Sequence, residues 1–219
     1  MTPTYTRDDS KVEVSGAEAR HYDLMMNAVT AGTYPFFIRR AVRDMAIQPE
    51  DGILDLGAGS GRNACLMARY LSDRGRIVGL DIGAEMLEQA EQRCRHLPNI
   101  TMEKQRIEEP LSYDGDFDKA FIAFVLHGLV QEDRLRVIEN VYRALRPGGQ
   151  WLILDWNEFE PERTFWPFGF AFQRLECPLA TDFVRRDWRA LLREQGFGDF
   201  QSHSYYFGYV RLLAARKVM

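Results

Sequence analysis

Cysteine is scarce: Cys65, Cys94 and Cys177 are the only three in 219 residues, and they form no Cys-x-x-Cys pair. An odd count without that spacing argues against a disulfide framework and against a cysteine-based zinc site, and it suits a reducing cytoplasm. No run approaches the roughly 18 apolar residues of a membrane-spanning helix. The opening MTPTYTRDDSKVEVSG lacks the apolar centre of a secretory signal. Positive charge is also short, with 28 Lys plus Arg against 32 Asp plus Glu and a net charge of −4. Such a chain has no global field for gathering a polyphosphate backbone, so a nucleic-acid partner is disfavoured. Neither an internal repeat nor a Pro- or Ser-rich linker divides it.

What is present reads as one globular domain: 46% hydrophobic and 27% charged residues, in a length that buries about 70% of the unfolded surface. Residues 1–16 read as a mobile leader and 17–219 as the domain. Residues 17–46 form a helical cap in two pieces, broken near Gly32 to Pro35. An alternation then sets the fold class. Strands are expected at 52–56, 77–81, 100–104, 119–125 and 150–155, and helices at 61–71, 84–95, 131–146 and 182–195. Two final strands, about 199–205 and 207–216, are joined so tightly at Phe207-Gly208 that they must be antiparallel. The expected architecture is α/β: a doubly wound, Rossmann-like, seven-stranded sheet, mainly parallel with an antiparallel edge strand, plus the N-terminal cap. Residues 157–181, with Trp166-Pro167-Phe168-Gly169-Phe170, interrupt the alternation as an aromatic insertion that can roof an apolar pocket or pack on the cap.

Between the first strand and its helix runs Asp55-Leu56-Gly57-Ala58-Gly59-Ser60-Gly61. Gly57 suits a sharp turn, Gly59 close approach of a ligand to the backbone, and Gly61 tight helix packing. Asp81 ends the second strand, where a carboxylate accepts ribose hydroxyls. The G-x-G-x-G spacing differs from the G-x-G-x-x-G of dinucleotide sites, and Asp55 lies just before it. A carboxylate there is ill suited to a pyrophosphate and well suited to a cationic ligand such as a sulfonium carrying an ammonium group. A nicotinamide-dependent oxidoreductase is therefore the disfavoured rival.

The segments LDLGAGSGR, GLDIGAEML, FDKAFIAFVLHGL and LRPGGQWLILDW resemble, in order, the motifs of class I S-adenosylmethionine-dependent methyltransferases. His21 to Met25 and the closing GYVRLLAARK are similar to the quinone-biosynthesis C-methyltransferase branch. The resemblance implies S-adenosyl-L-methionine as cofactor and no metal. It implies a donor site made by Asp55, Gly57, Ala58, Gly59, Gly61, Asp81, Ile82, Met86, Ile107 and Tyr22. Where the family usually presents an Asp to adenine, this chain has Arg106, which cannot accept that hydrogen bond. In place of the quinone branch's Arg-Asn pair it has Leu126-His127-Gly128.

Methyl transfer is an in-line displacement that depends mostly on alignment. His127, at the expected end of the fourth strand, is the candidate base for a protic nucleophile; the alternative is that it orders the loop or contacts the donor. Asp155, Trp156 and Asn157 end the fifth strand on the same edge. The expected acceptor is a small apolar or aromatic molecule, quinol-like first, with an amine or phospholipid headgroup second. A non-catalytic donor-binding regulator is the third reading. No integral membrane association is expected; Arg39, Arg40 and Arg43 are read as a solvated face or a peripheral membrane contact. A monomer or homodimer fits.

Overall fold

The computed structural model describes Thr6, residues 32–164, Phe172 and residues 177–218. Apart from Thr6, the leader lies outside the described residues, as do the first piece of the cap with His21 and Tyr22 and the run 166–170. Seven strands form one sheet: β1 (Gly52–Leu56), β2 (Arg76–Asp81), β3 (Ile100–Lys104), β4 (Phe117–Ala123), β5 (Leu145–Trp156), β6 (Phe197–Tyr205) and β7 (Val210–Lys217). Their order is β3-β2-β1-β4-β5-β7-β6. Strands β1 to β5 pair in parallel, and β7 runs antiparallel between β5 and β6. The described helices are α1 (Tyr34–Asp44), α2 (Arg62–Met67), α3 (Ala84–Cys94), α4 (Gln131–Ala144), α5 (Pro178–Val184) and α6 (Trp188–Glu194).

Strand alternation divides the core between the two faces of the sheet. Leu54, Leu56, Ala120, Ile122, Trp151 and Ile153 meet α4, α5 and α6 on one face. Ile53, Phe121, Leu152 and Leu154 meet α1 and α2 on the other. Covering on both sides explains why β1 is buried at all five positions instead of alternating. Helix α1 shows the complementary pattern: Tyr34, Phe37, Ile38, Ala41 and Val42 are buried along one stripe while Phe36, Arg39, Arg40 and Arg43 are exposed along the other.

Several boundaries differ from the sequence expectation: α2 stops at Met67 and passes into a 3₁₀ turn, β7 starts only at Val210, and three others have a clear local cause. Strand β4 stops at Ala123 because Phe124 adopts a φ of 54°, outside the extended region. Helix α4 stops at Ala144, where Leu145 becomes extended (φ −77°, ψ 137°) and opens β5 five residues before Gln150. The expected helix 182–195 is two helices, because the Asp187 carboxylate accepts from the Ala190 N–H at 2.9 Å and starts α6 afresh.

Arg134 of α4 ties the face behind β4 together with no exposed surface of its own. It donates to the carbonyls of Leu126 (3.1 Å), His127 (2.9 Å) and Leu179 (2.8 Å) and pairs with Asp182 at 2.6 Å. Its guanidinium also lies 5.3 Å from the centre of the Phe183 ring. One side chain thus joins α4, the 3₁₀ turn Leu126–Gly128 that follows β4, and α5. Removing a buried charge partner typically costs about 3 kcal/mol. Arg134→Met is expected to lose about that much stability in urea unfolding, whereas exposed Arg163→Met leaves the unfolding midpoint unchanged.

Candidate active site

The chain leaves β1 toward α2 on one face of the sheet and leaves β4 toward α4 on the other. Because β1 and β4 are neighbours, a crevice opens between their C-terminal ends, the place where doubly wound sheets take ligands. The glycine loop forms one wall. The N–H groups of Gly57 and Ala58 donate to the Leu80 carbonyl at 2.8 and 2.9 Å, pinning the loop to β2. A Cβ on Gly57 would meet Val125 at 2.6 Å, and one on Gly61 would meet Ala90 of α3 at 2.9 Å. At Gly59 the same position has no neighbour within 4 Å. The glycine read as the point of ligand approach is therefore the one facing open space, and that read as the packing glycine is crowded.

Two carboxylates face this loop. Asp81 accepts from the Gly59 N–H through Oδ2 and from the Gly83 N–H through Oδ1, both at 2.8 Å. Each oxygen retains a further lone pair for a hydroxyl donor. Asp55 is 1% exposed, and its Oδ2 has no hydrogen-bond partner among the described residues. Burial, reinforced by the neighbouring Asp81 charge, pushes the Asp55 carboxyl up to about 7. A buried carboxyl with an unused oxygen, beside a second carboxylate and an open backbone cradle, is matched to a cation. S-adenosyl-L-methionine carries groups of the matching kinds: an ammonium, a sulfonium and two ribose hydroxyls.

The other predicted donor residues fall around the loop unevenly. Ala58 and Met86 are buried and Ile82 half-buried next to Asp81. Ile107 is 6% exposed in the core behind β1 and β2, and its carbonyl already accepts from the Asn140 side-chain amide at 2.9 Å. Arg106 turns its guanidinium to Glu108 at 2.6 Å. Tyr22 lies outside the described residues. A separate cavity of about 760 Å³, between Arg189, Arg193, Phe200 and Val218, sits at the opposite end of the sheet. It has neither the glycine loop nor the acidic pair.

Across the crevice, His127 Nδ1 lies 2.7 Å from Asp155 Oδ1, and the His127 N–H donates to Asp155 Oδ2 at 3.2 Å. Asp155 is 1% exposed and also accepts from the Trp156 N–H at 2.8 Å. With Nδ1 donating to a carboxylate, the imidazole carries its lone pair on Nε2. Beside this pair runs a wall of rings: Phe37 to Phe124 at 6.2 Å, Phe124 to Trp156 at 6.3 Å and Trp156 to Phe172 at 5.2 Å. The sequence placed His127 and Asp155 on one edge but did not join them. Their adjacency was legible only in that both follow the ends of neighbouring parallel strands. Arg134, which holds the His127 carbonyl, left no sequence signal.

The state of Asp55 makes two linked observables. Its folded value is raised above the ordinary 3.8, so free protein loses stability as pH rises from about 4 through about 7. A bound cation favours the ionised form, so affinity for S-adenosylhomocysteine, which keeps the ammonium, is expected to rise toward tenfold per unit below about pH 7 and then level. Calorimetry below pH 7 in buffers of different ionisation enthalpy should count close to one proton released on binding, and Asp55→Asn should abolish that release.

A profile for the methyltransferase domain family matches residues 53–149. The ubiquinone/menaquinone biosynthesis C-methyltransferase UbiE of Psychromonas ingrahamii is 28% identical over 168 residues, 74% of this chain and 66% of its own length. The demethylmenaquinone methyltransferase of Symbiobacterium thermophilum is 28% identical over 76% of this chain and 66% of its own length. The chain thus spans just under two thirds of these relatives. Among solved structures, a SAM-dependent methyltransferase from Aquifex aeolicus superposes with a TM-score of 0.64 at 20% identity, covering 83% of this chain and 89% of that one. A putative O-methyltransferase from Nostoc punctiforme gives 0.72 at 19% identity, over 91% and 59%. Residues 53–149 thus match the methyltransferase domain, and the strand order and glycine loop give this chain the fold of the solved S-adenosylmethionine-dependent methyltransferases.

Proposed function

We propose that this protein transfers a methyl group from S-adenosyl-L-methionine to a small apolar or aromatic acceptor, with a quinol-type carbon or oxygen nucleophile foremost. The observation that carries the reading is the His127–Asp155 contact at 2.7 Å beside the Phe124 and Trp156 rings. The names of the relatives, a ubiquinone/menaquinone biosynthesis C-methyltransferase and a demethylmenaquinone methyltransferase, support the same acceptor class.

When bound, the sulfonium supplies an electrophilic methyl carbon and leaves as a neutral thioether. The protein's own part is to hold the two reactants in line, an effect worth roughly 7 to 11 kcal/mol in favourable cases. Asp55 and Asp81 anchor the donor from the β1 and β2 side. The aromatic wall offers flat apolar surface to a ring and keeps water from the reacting carbon. His127 takes the hydroxyl proton of the acceptor on Nε2 as the new bond to methyl forms and the bond from sulfur to methyl breaks, and Asp155 stabilises the resulting imidazolium through Nδ1; with a carbon nucleophile, the methylated ring carbon then gives up its hydrogen as a proton and the oxygen regains one, restoring the ring. Arg134 fixes the height of the turn by holding the His127 carbonyl.

An acceptor panel and two substitutions test this. Quinols bearing an apolar tail should be methylated, and ethanolamine headgroups should not. His127→Ala and Asp155→Asn should keep affinity for S-adenosylhomocysteine while turnover falls about 10² to 10⁴. Full turnover in His127→Ala would refute the base assignment, and no transfer to any quinol would refute the acceptor class.

A further inference from the structure

The turn that joins β6 to β7 places an aromatic side chain where nothing in the fold needs one. Phe207 is 102% exposed, and it sits in a backbone with φ of 59°, directly after Tyr206 at 48°. Bulky residues rarely occupy that left-handed region, and a ring with no contacts gives no packing energy to offset it. An outlier of this kind points to a role outside the folded chain. The turn lies on the crevice edge of the sheet, because Val210 at its exit pairs with both Tyr205 and Trp156.

A second exposed ring shares this edge. Helix α1 is bound to the turn by the Thr33 and Tyr206 hydroxyls at 3.1 Å and by the Phe37 and Tyr206 rings at 4.9 Å. Its outward stripe begins at Phe36, 72% exposed, and continues through Arg39, Arg40 and Arg43. These four positions, at i, i+3, i+4 and i+7, share one face of the helix. The only carboxylate on α1, Asp44, faces Arg40 at 3.9 Å and accepts from the Tyr205 hydroxyl at 2.8 Å. Arg39 and Arg43 have no carboxylate partner among the described residues. In a chain of net charge −4, this edge is locally basic.

Two water-facing aromatics next to exposed arginines match an anionic lipid surface, where rings enter the boundary between headgroups and acyl chains and guanidinium groups meet phosphates. We propose that α1 and the 206–208 turn dock this protein on anionic bilayers, with Phe36 and Phe207 inserted and Arg39, Arg40 and Arg43 against the headgroups. If the acceptor proposed above is correct, the crevice mouth then opens toward the phase in which an apolar acceptor dissolves. The docking itself needs neither donor nor acceptor and is measured without them.

Flotation of the full chain with phosphatidylcholine vesicles, with and without phosphatidylglycerol, tests the proposal. Binding is expected only with phosphatidylglycerol and should weaken as salt rises. Each arginine removed should lower partitioning about fivefold, so Arg39→Gln/Arg43→Gln loses more than tenfold. Phe36→Ser/Phe207→Ser should also release the protein, at low salt, while both variants retain affinity for S-adenosylhomocysteine as evidence of an intact fold. Equal binding to neutral vesicles, no binding to either, or undiminished binding by the double variants would overturn it. So would a patch covered by a second copy, seen as a dimer that those substitutions dissociate and that ignores vesicles. None of these results bears on whether methyl transfer occurs.

Discussion

The pairing of β1 with β4 is the constraint from which the site follows. The chain leaves these two neighbouring strands toward opposite faces of the sheet, so no connection can fill the gap between their ends. Everything assigned to ligand binding lies along that gap: the glycine loop after β1, Asp81 beside it on β2, the turn with His127 after β4, and Asp155 at the end of β5. A parallel sheet with both faces covered is stiff. That stiffness allows carboxylates at strand ends to hold fixed positions with little water around them.

The site also carries two locally costly features. Asp55 is a buried carboxyl with an unpartnered oxygen, and Phe124 leaves β4 through a backbone angle uncommon for a bulky residue. Neither stabilises the free protein. Both make sense if local cost is retained for ligand complementarity, since a cation completes the first and the second turns an aromatic ring toward Phe37 and Trp156. Behind the site, polar burial is compensated. Arg134 is the clearest case, with three carbonyls and a carboxylate around one guanidinium. Its satisfied network sits directly behind His127 and holds the turn that carries this side chain.

The two walls of the crevice differ in chemistry. The β1 and β2 side is acidic and polar, made by backbone and carboxylates; the β4 and β5 side is aromatic, with a single histidine–carboxylate pair. The proposed function sets a charged nucleoside against the first and a flat apolar acceptor against the second. The same aromatic wall continues outward through Phe37 to Tyr206, at the rim where Phe36 and Phe207 face water. The site is therefore continuous with the basic, aromatic edge of the molecule instead of being sealed from it.

The sequence by itself determined the alternation of strands and helices, the seven-stranded class of the sheet and the three glycines with their acidic partners. Those features are written in local terms: apolar runs, turn residues, and spacing within one βαβ unit. Its errors were also local, at the ends of β4 and α4 and in the helix that Asp187 divides, where a single residue's backbone angle or cap decides. The joining of His127 to Asp155, the burial of Arg134 and the wall from Phe37 to Phe172 were decided only by tertiary structure. Each unites residues far apart in the chain, 28 positions for the first pair and more than a hundred for the wall's two ends. No periodicity records which strand ends become neighbours, because that depends on how the crossovers wind.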